Sequence, residues 1–449
     1  MMKNISFIRS FGLLLFLWSI IWLIQSKNIN VAQENENICQ EWKNFDEQDL
    51  WLFGEVPSGP FSSQLHAIYS FIPISLMLKS NLVIGELNVH EPGNKTSQGN
   101  IRSVHFSTFF DFKYFTTYWS KKKISAISKR VYARCFTGLD NDIDPMNVHG
   151  KETKGKHNVL QITRSPTFAK FHQKEMKGLL QSHNLSYPLP RHSLIKIVSP
   201  FQFFGIYSFW DNLYLLQNVH RSLRPTAAIK DTVKALLNLI PAKEFIALNI
   251  RVDDELFAPQ GKALSSEDEA KEIKRVVGII RSSSCLTDYW MDKNLGVMNP
   301  LLTPPVVYLT SNARPHSMDD KRRVRTFIEE LAKAGIQRIF TRKFLYDHYM
   351  KKVSTSSSSQ SSAVNSAAPG KKTKAFDLSQ MKKFSYEHQS YIDMLMSRTS
   401  TCFIPSPTSA LTSYLIQRFR KFDQNIYESF PEVNSTTYGI THQFREWGF

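Results

Sequence analysis

Arg251 closes a run of β-branched and apolar residues, Glu244 to Val252, and Asp253, Asp254 and Glu255 follow at once. A guanidinium makes two parallel hydrogen bonds to a pair of phosphate oxygens and stays charged at every physiological pH. An arginine fixed at a strand end therefore suits the stabilisation of a phosphate leaving group. Asp253 and Glu255, just past it, could take a proton from an attacking hydroxyl, or share a divalent cation through their oxygens in a D-x-D-like manner. Farther along, the turn Ser406 to Ser409 leads into a helical stretch. The first amides of such a helix bind phosphate well, and Thr408 and Ser409 add hydroxyls. Each feature has a plainer reading. Arg251 could simply pair with its acidic neighbours, and one of Thr408 and Ser409 could do no more than cap the helix.

These residues need elements to hold them. Leu50 to Val56 predicts a strand, residues 57–60 (PSGP) a turn, Ser62 to Lys79 a helix with Ser62 near its cap, and Leu82 to Leu87 a second strand. Pro73 should kink or split that helix. A second βαβ block begins with the spacing of Ile229, Val233, Leu236, Leu237 and Ile240, which predicts a helix over Thr226 to Ile240 stopped by Pro241. The strand carrying Arg251 comes next. Val306 to Thr310 then reads as a buried strand, Asp319 to Ala334 as a helix with Gly335 as its C-terminal cap, and Ile336 to Thr341 as a strand. Strands alternating with helices in two separated blocks predict an α/β chain with two open parallel sheets and a ligand crevice. Ser354 to Ser366 is almost entirely small and polar, which predicts a disordered insert over 353–374.

The chain has 449 residues, 42% of them apolar and 21% charged, enough for a large core and more than one domain. Its formal charge of +17 attracts anions of many kinds. No base-reading or RNA-binding signature accompanies the scattered lysines and arginines, which argues against a nucleic-acid partner. Between Arg9 and Lys27 there is no charge, and Phe11 to Ile24 is almost wholly apolar, which predicts a signal anchor over 11–26. Lys3 and Arg9 precede it, so residues 1–10 form a cytosolic tail and the remainder faces the lumen, with 27–45 as a polar stem. A cleaved signal peptide would deliver the same compartment. Sequons at Asn94, Asn184 and Asn434 agree with that side of the membrane. Cys39, Cys135, Cys285 and Cys402 suit one or two disulfides in one of three full pairings, and lack the C-x-x-C pairs of a zinc site.

Three stretches in order resemble the GDP-fucose O-fucosyltransferase superfamily, including its plant branch. Phe245 to Glu255 (FIALNIRVDDE) resembles the H-x-R-x-E-x-D segment and places the arginine at Arg251. Ser390 to Arg418, with Asp393, the Phe403 strand and the Ser406 to Ser409 turn, resembles the last motif. Gly59 to Gln64 (GPFSSQ) resembles the first, a glycine turn leading to a helix. The resemblance implies a GT-B-like fold, with two Rossmann-like domains facing a cleft, over 46–223 and 224–449. It implies an inverting fucosyl transfer from GDP-fucose to a hydroxyl of a protein or glycan, with no obligatory metal or other cofactor. Arg251, Asp253 and Glu255 would be catalytic. Gly59, Phe61, Ser62, Ser63, Asn249, Arg251, Asp393, Thr408 and Ser409 would bind the donor, with Asp393 on its base or ribose. An anchored lumenal enzyme of this kind would be a single-pass type II protein of the Golgi or ER membrane.

Two positions depart from the pattern. Asn249 stands where the superfamily has histidine, and Ser63 where it has asparagine. Asparagine can hydrogen-bond a ribose or phosphate but carries no proton at neutral pH. Two alternatives therefore stay open: a transferase using another nucleotide sugar such as UDP-rhamnose on a polysaccharide, and a catalytically silent glycan- or protein-binding module on the same fold.

Overall fold

Helices alternate with short strands in the computed structural model, which describes residues 50–57, 59–78, 80–90, 101–137, 159–162, 194–197, 213–252, 257, 264–286, 304–314, 317–359, 378–405 and positions 412, 415, 416 and 420. The expected cytosolic tail, anchor and stem lie outside these residues. Among the described residues, no helix is long and apolar enough to cross a membrane.

The first block runs β1 (Trp51–Gly54), α1 (Phe61–Leu78), β2 (Asn81–Ile84), β3 (Leu87–His90), β4 (Ile101–Val104), α2 (Phe112–Ser120), β5 (Ala126–Ser128), α3 (Lys129–Tyr132), β6 (Val159–Ile162), β7 (Leu194–Ile197) and α4 (Leu213–Ser222). The second runs α5 (Ala227–Leu237), β8 (Ile246–Ile250), α6 (Ser266–Arg281), β9 (Val306–Ser311), α7 (Met318–Lys333), β10 (Arg338–Phe340), α8 (Arg342–Ser359), α9 (Tyr386–Arg398) and β11 (Cys402–Ile404). Two all-parallel sheets result, ordered β5-β2-β1-β7-β6 and β10-β9-β8-β11, beside a small antiparallel pair, β3 and β4. In each large sheet the strand order reverses once, between β1 and β7 and between β8 and β11. Crevices at the carboxyl ends of strands, beside such reversals, are where open α/β sheets bind ligands.

Burial explains the strand sequences. Every residue of β1, β2 and β8 is buried, which fits apolar runs covered on both faces. Ile246, Leu248 and Ile250 face a core built with Ile273, Val277 and Ile280 of α6 and Phe327 and Leu331 of α7. Ala247 and Tyr308 turn the other way, into a cluster that contains Ile229 and Leu236 of α5, Ile392 and Leu395 of α9, and Phe61, Leu65 and Ile68 of α1. One apolar core therefore joins the two sheets. Ser265, Ser317 and Ser385 begin α6, α7 and α9, each accepting a hydrogen bond from the amide three residues on. Gly335, at φ 94°, ends α7 as its position suggested.

Several expectations are corrected. Pro73 does not split α1, which runs from Phe61 to Leu78. Its neighbours Phe71, Ile72 and Ile74 are completely buried, and that burial offsets a proline penalty of about 3 kcal/mol. Ser62 lies near the start of the helix as expected, although the helix begins one residue earlier, at Phe61. The strand expected over Leu82 to Leu87 ends at Ile84, and Leu87 opens a separate strand paired antiparallel with β4. Gly85 lies at the break, where an added Cβ would come within 3.1 Å of the Phe53 ring. The helix α8 reaches Ser359 and so overlaps the start of the insert expected to be disordered over 353–374, because serine continues an established helix at modest cost. Positions 360–374 lie outside the described residues.

Cys285 is bonded to Cys402, tying the end of α6 to β11, and Cys135 is also disulfide-bonded. Of the three pairings left open by sequence, this selects one, at the edge of the second sheet where β8 and β11 begin.

Candidate functional site

The turn leading from β1 into α1 is built around Gln64. Completely buried, this side chain donates from Nε2 to the carbonyls of Gly59 and Asn88, each at 2.8 Å, and accepts from the Asn88 amide at 2.8 Å. The glycine turn is thereby fastened to β3. Behind it, α1 lies so close to β1 that a Cβ on Gly54 would sit 2.2 Å from Phe71. Gly59 itself has open space around it, with only Ser63 Cβ near, at 3.9 Å. The amides of Ser63 and Gln64 turn back to the Pro60 carbonyl at 2.9 and 3.2 Å, closing the first helical turn. The result is a helix N-terminus, with its partial positive charge, at the carboxyl end of β1.

Phe61 and Ser62 are buried. Phe61 stacks on Phe109 with ring centroids 4.7 Å apart and tilts against Tyr391 of α9 at 5.0 Å. Its ring is a packing element between the two halves, which leaves only its backbone available to a ligand. Ser63 is half-buried on the same turn.

Across the second sheet, Arg251 leaves the carboxyl end of β8 half-buried. The residue after it is held at both ends. The Val252 amide donates to Asn312 Oδ1 at 2.9 Å, just past the end of β9, and the Val252 carbonyl accepts from Arg323 Nη1 at 3.1 Å. Arg323 is itself fixed, with Nη2 2.7 Å from Glu269 Oε1 and its guanidinium carbon 4.6 Å above the Phe257 ring. Arg322 adds a bond to Glu269 at 2.6 Å. Burial alone would raise the Glu269 carboxyl, but the hydrogen bonds and charges of the two arginines outweigh it and hold the group below its usual range. The backbone that aims Arg251 is thus pinned by a buried ionic cluster.

Asn249, two residues before Arg251, is buried and donates from Nδ2 to Thr310 Oγ1 at 2.9 Å. The pair sits in register between β8 and β9. Alternation along the strands puts both on the face shared with Ala247 and Tyr308. On that face Asp393 of α9 accepts from the Tyr308 hydroxyl at 2.7 Å and from Arg342 Nε at 3.0 Å, while Arg342 Nη1 reaches Gln389 at 2.6 Å. Burial, then the Asp393 charge, push the Tyr308 phenol well above its ordinary value, so it stays a neutral donor. Asp393 is thereby a member of an ordered polar cluster under the crevice.

The two halves meet along α9. The His90 amide donates to Glu387 Oε2 at 2.9 Å, and His388 stacks on Phe109 at 4.2 Å and on Phe384 at 5.2 Å. Burial pushes the His388 imidazole down to about 4, so it is neutral at physiological pH.

Of the residues expected from sequence, Gly59, Phe61, Ser62 and Ser63 share one turn, and Arg251 and Asn249 share one strand end. Asp393 faces the latter sheet. Asp253, Glu255, Thr408 and Ser409 lie outside the described residues, although β11, which leads into the last two, pairs directly with β8. Gln64, Asn312, Arg323, Glu269 and Arg342 were not among the expected site residues. Asn312 carries a local signal, since it follows β9 as Arg251 follows β8. The Arg323 to Glu269 pair spans 54 residues and leaves none. Among the described residues, no group of three histidine, cysteine or acidic side chains is placed to hold a metal.

No protein-family model and no curated protein matches the chain. Solved structures that it is similar to are fucosyltransferases. The crystal structure of POFUT1 in complex with GDP matches at 11% identity and a TM-score of 0.41, covering 84% of this chain and 95% of that one. NodZ fucosyltransferase from Bradyrhizobium matches at 12% identity and a TM-score of 0.40, covering 82% and 91%. NodZ alpha-1,6-fucosyltransferase soaked with GDP-fucose gives 10% identity and a TM-score of 0.41. Likenesses at this level identify neither a family nor a site.

Proposed function

We propose that this chain is an inverting glycosyltransferase that moves fucose from GDP-fucose to a hydroxyl of a protein or glycan, with the donor lying between the two sheets. One observation carries the reading. Two stretches that resemble fucosyltransferase motifs, far apart in sequence, both emerge at carboxyl ends of parallel strands beside a reversal of strand order, Gly59 after β1 and Arg251 after β8. That is where an α/β sheet offers helix amides and a fixed cation to a diphosphate.

In this reading the acceptor oxygen attacks the anomeric carbon from the face opposite the leaving group, and the bond to the β-phosphate breaks. Negative charge builds on the diphosphate as the sugar becomes oxocarbenium-like, and the Arg251 guanidinium neutralises it. The cluster of Val252, Asn312, Arg323 and Glu269 keeps the arginine from having to reorganise at that moment. Asp253 or Glu255 accepts the acceptor proton. The amide end of α1 holds the donor from the other side, joined by Thr408 and Ser409 beyond β11. The apolar stretch 11–26 and the disulfides agree with an anchored enzyme of the secretory lumen, in a Golgi or ER membrane.

Calorimetric titration of GDP, UDP and GDP-fucose in EDTA, with the parent chain and Arg251→Ala, tests the proposal. Losing two charge-assisted hydrogen bonds, roughly 3 kcal/mol, should weaken GDP binding about a hundredfold. Equal GDP affinity in the variant would remove Arg251 from the site, and preference for UDP would change the donor. Because Asn249 is committed to Thr310 and brings no titrating group, nucleotide binding without sugar transfer to any acceptor would identify a silent module.

A further inference from the structure

A second concavity lies along β5, which among the described residues forms one edge of the first sheet. It measures about 380 Å³ and lies between α2 and β5. Phe112, Thr116, Thr117 and Ser120 line it from the helix, and the backbone and side chains of Ser125 to Ser128 line it from the strand. Phe112 and Ser128 mark its end nearest the carboxyl edge of the sheet. Two strand spacings separate that end from β1, about 10 Å.

Its chemistry is specific. The hydroxyls of Thr116 and Thr117 donate to the Lys113 carbonyl at 3.0 and 2.8 Å, and Ser120 donates to the Thr117 carbonyl at 2.9 Å. With their protons so engaged, these oxygens offer lone pairs, which suits a ligand rich in O–H donors. Phe112 and Val131, both half-buried, supply apolar surface of the kind on which the C–H face of a pyranose rests. Around this neutral interior the surface is cationic. Between Arg102 and Arg134 there are eight lysines and arginines and one acidic residue, Asp111. Lys113, Thr117 and Lys121 follow one another at i, i+4 and i+8, so two exposed ammonium groups flank the hydroxyls on one helix face.

We propose that this cavity binds an anionic oligosaccharide, its sugar hydroxyls on Thr116, Thr117 and Ser120 and its carboxylate or sulfate groups on Lys113 and Lys121. A nucleic acid would need open aromatic faces for stacking. Tyr114 and Tyr118 of α2 are covered, with Arg224 3.6 Å above the Tyr114 ring and Lys122 5.6 Å above Tyr118, which leaves the cavity the single ring of Phe112 and no row of rings for successive bases. A membrane surface would need apolar side chains to insert. Among the described residues, none of the exposed large hydrophobics lies on α2 or β5. The site stands on these observations alone and does not depend on the nucleotide crevice.

The test is titration of the full-length chain with a heparin-derived hexasaccharide and a hexagalacturonate, beside neutral cellohexaose and a uridine dodecanucleotide. At least one acidic hexasaccharide should bind at least tenfold more tightly than cellohexaose. Thr117→Trp and Ser120→Trp, both at exposed positions, fill the cavity without changing net charge and should each weaken binding tenfold or more. Melting temperatures identify any variant that misfolds, and the other then decides. Lys113→Glu with Lys121→Glu should abolish binding, while GDP affinity stays at the parent value in all variants. Undiminished affinity in the folded tryptophan variants would reveal charge adsorption only and overturn the site. So would equal binding of cellohexaose, tighter binding of the oligonucleotide, or no binding of either acidic sugar.

Discussion

Replacing Gln64 with leucine keeps the side-chain volume in α1 and removes the three 2.8 Å hydrogen bonds that fasten the Gly59 turn to β3. Each bond contributes about 1 kcal/mol net, and backbone groups left buried without a partner cost more, so the turn should lose about 3 kcal/mol. The loss falls on a local unit, the turn and the β3–β4 pair, because α1 keeps its core contacts with β1 and β2. Hydrogen exchange read by mass spectrometry is therefore the appropriate assay. If the Asn88 amide exchanges through local opening, a loss of 1.4 to 2.8 kcal/mol speeds it roughly tenfold to a hundredfold, while amides in the middle of α1 stay protected. The same loosening should weaken GDP binding, since the amides at the start of α1 are no longer held toward the crevice. Exchange at Asn88 within twofold of the parent would mean that Gln64 does not carry the turn. Faster exchange with unchanged GDP affinity would separate the turn from the donor site.

Removing Glu269 by alanine substitution leaves Arg323, 4% exposed, without its closest carboxylate, and should destabilise the protein by about 3–5 kcal/mol, read as a lower urea midpoint. The pair replacement Glu269→Leu with Arg323→Met should cost less than that single change. Burial lowers the imidazoles of His66 and His388 to about 4, so the unfolded chain binds more protons than the folded one between that value and about 6.5. Stability should therefore be full above the upper limit and fall as pH drops through this window, and His388→Phe should flatten the decline; a urea midpoint independent of pH across it would contradict the burial of both groups.

Where sequence reading succeeded, the signal was local. β8 is five consecutive buried residues, α7 carries a serine cap and acidic first turn, and Gly335 has the backbone angle its position demanded. The place of Arg251 at the end of β8 was legible from the apolar run before it, while its role rested on the family resemblance alone. Weak signals account for what was missed. β5 is three residues long and β3 departs from β2 after a two-residue break, so neither shows a usable period. Helix α2 did carry a pattern, Phe112, Phe115 and Trp119, that a search for aromatic spacing would have found. Phe61 looked like a pocket residue from its motif, and only the approach of Tyr391, far along the chain, buries it. Arg322 and Arg323 read as a surface charge run, whereas Glu269 takes both into a cluster.

The place of β11 in the second sheet bears on how the chain folds as it is synthesised. Thr401, just before that strand, donates its amide to the carbonyl of Phe245, 156 residues earlier. A ribosome adding ~5–20 residues each second needs roughly 8 to 30 s to supply that partner. Throughout this interval one edge of β8, apolar except for Asn249, lacks its neighbour and is open to mispairing. Oxidation of Cys285 with Cys402 then records that the late strand has arrived. The crevice beside Arg251 is therefore completed last, when β11 pairs with β8.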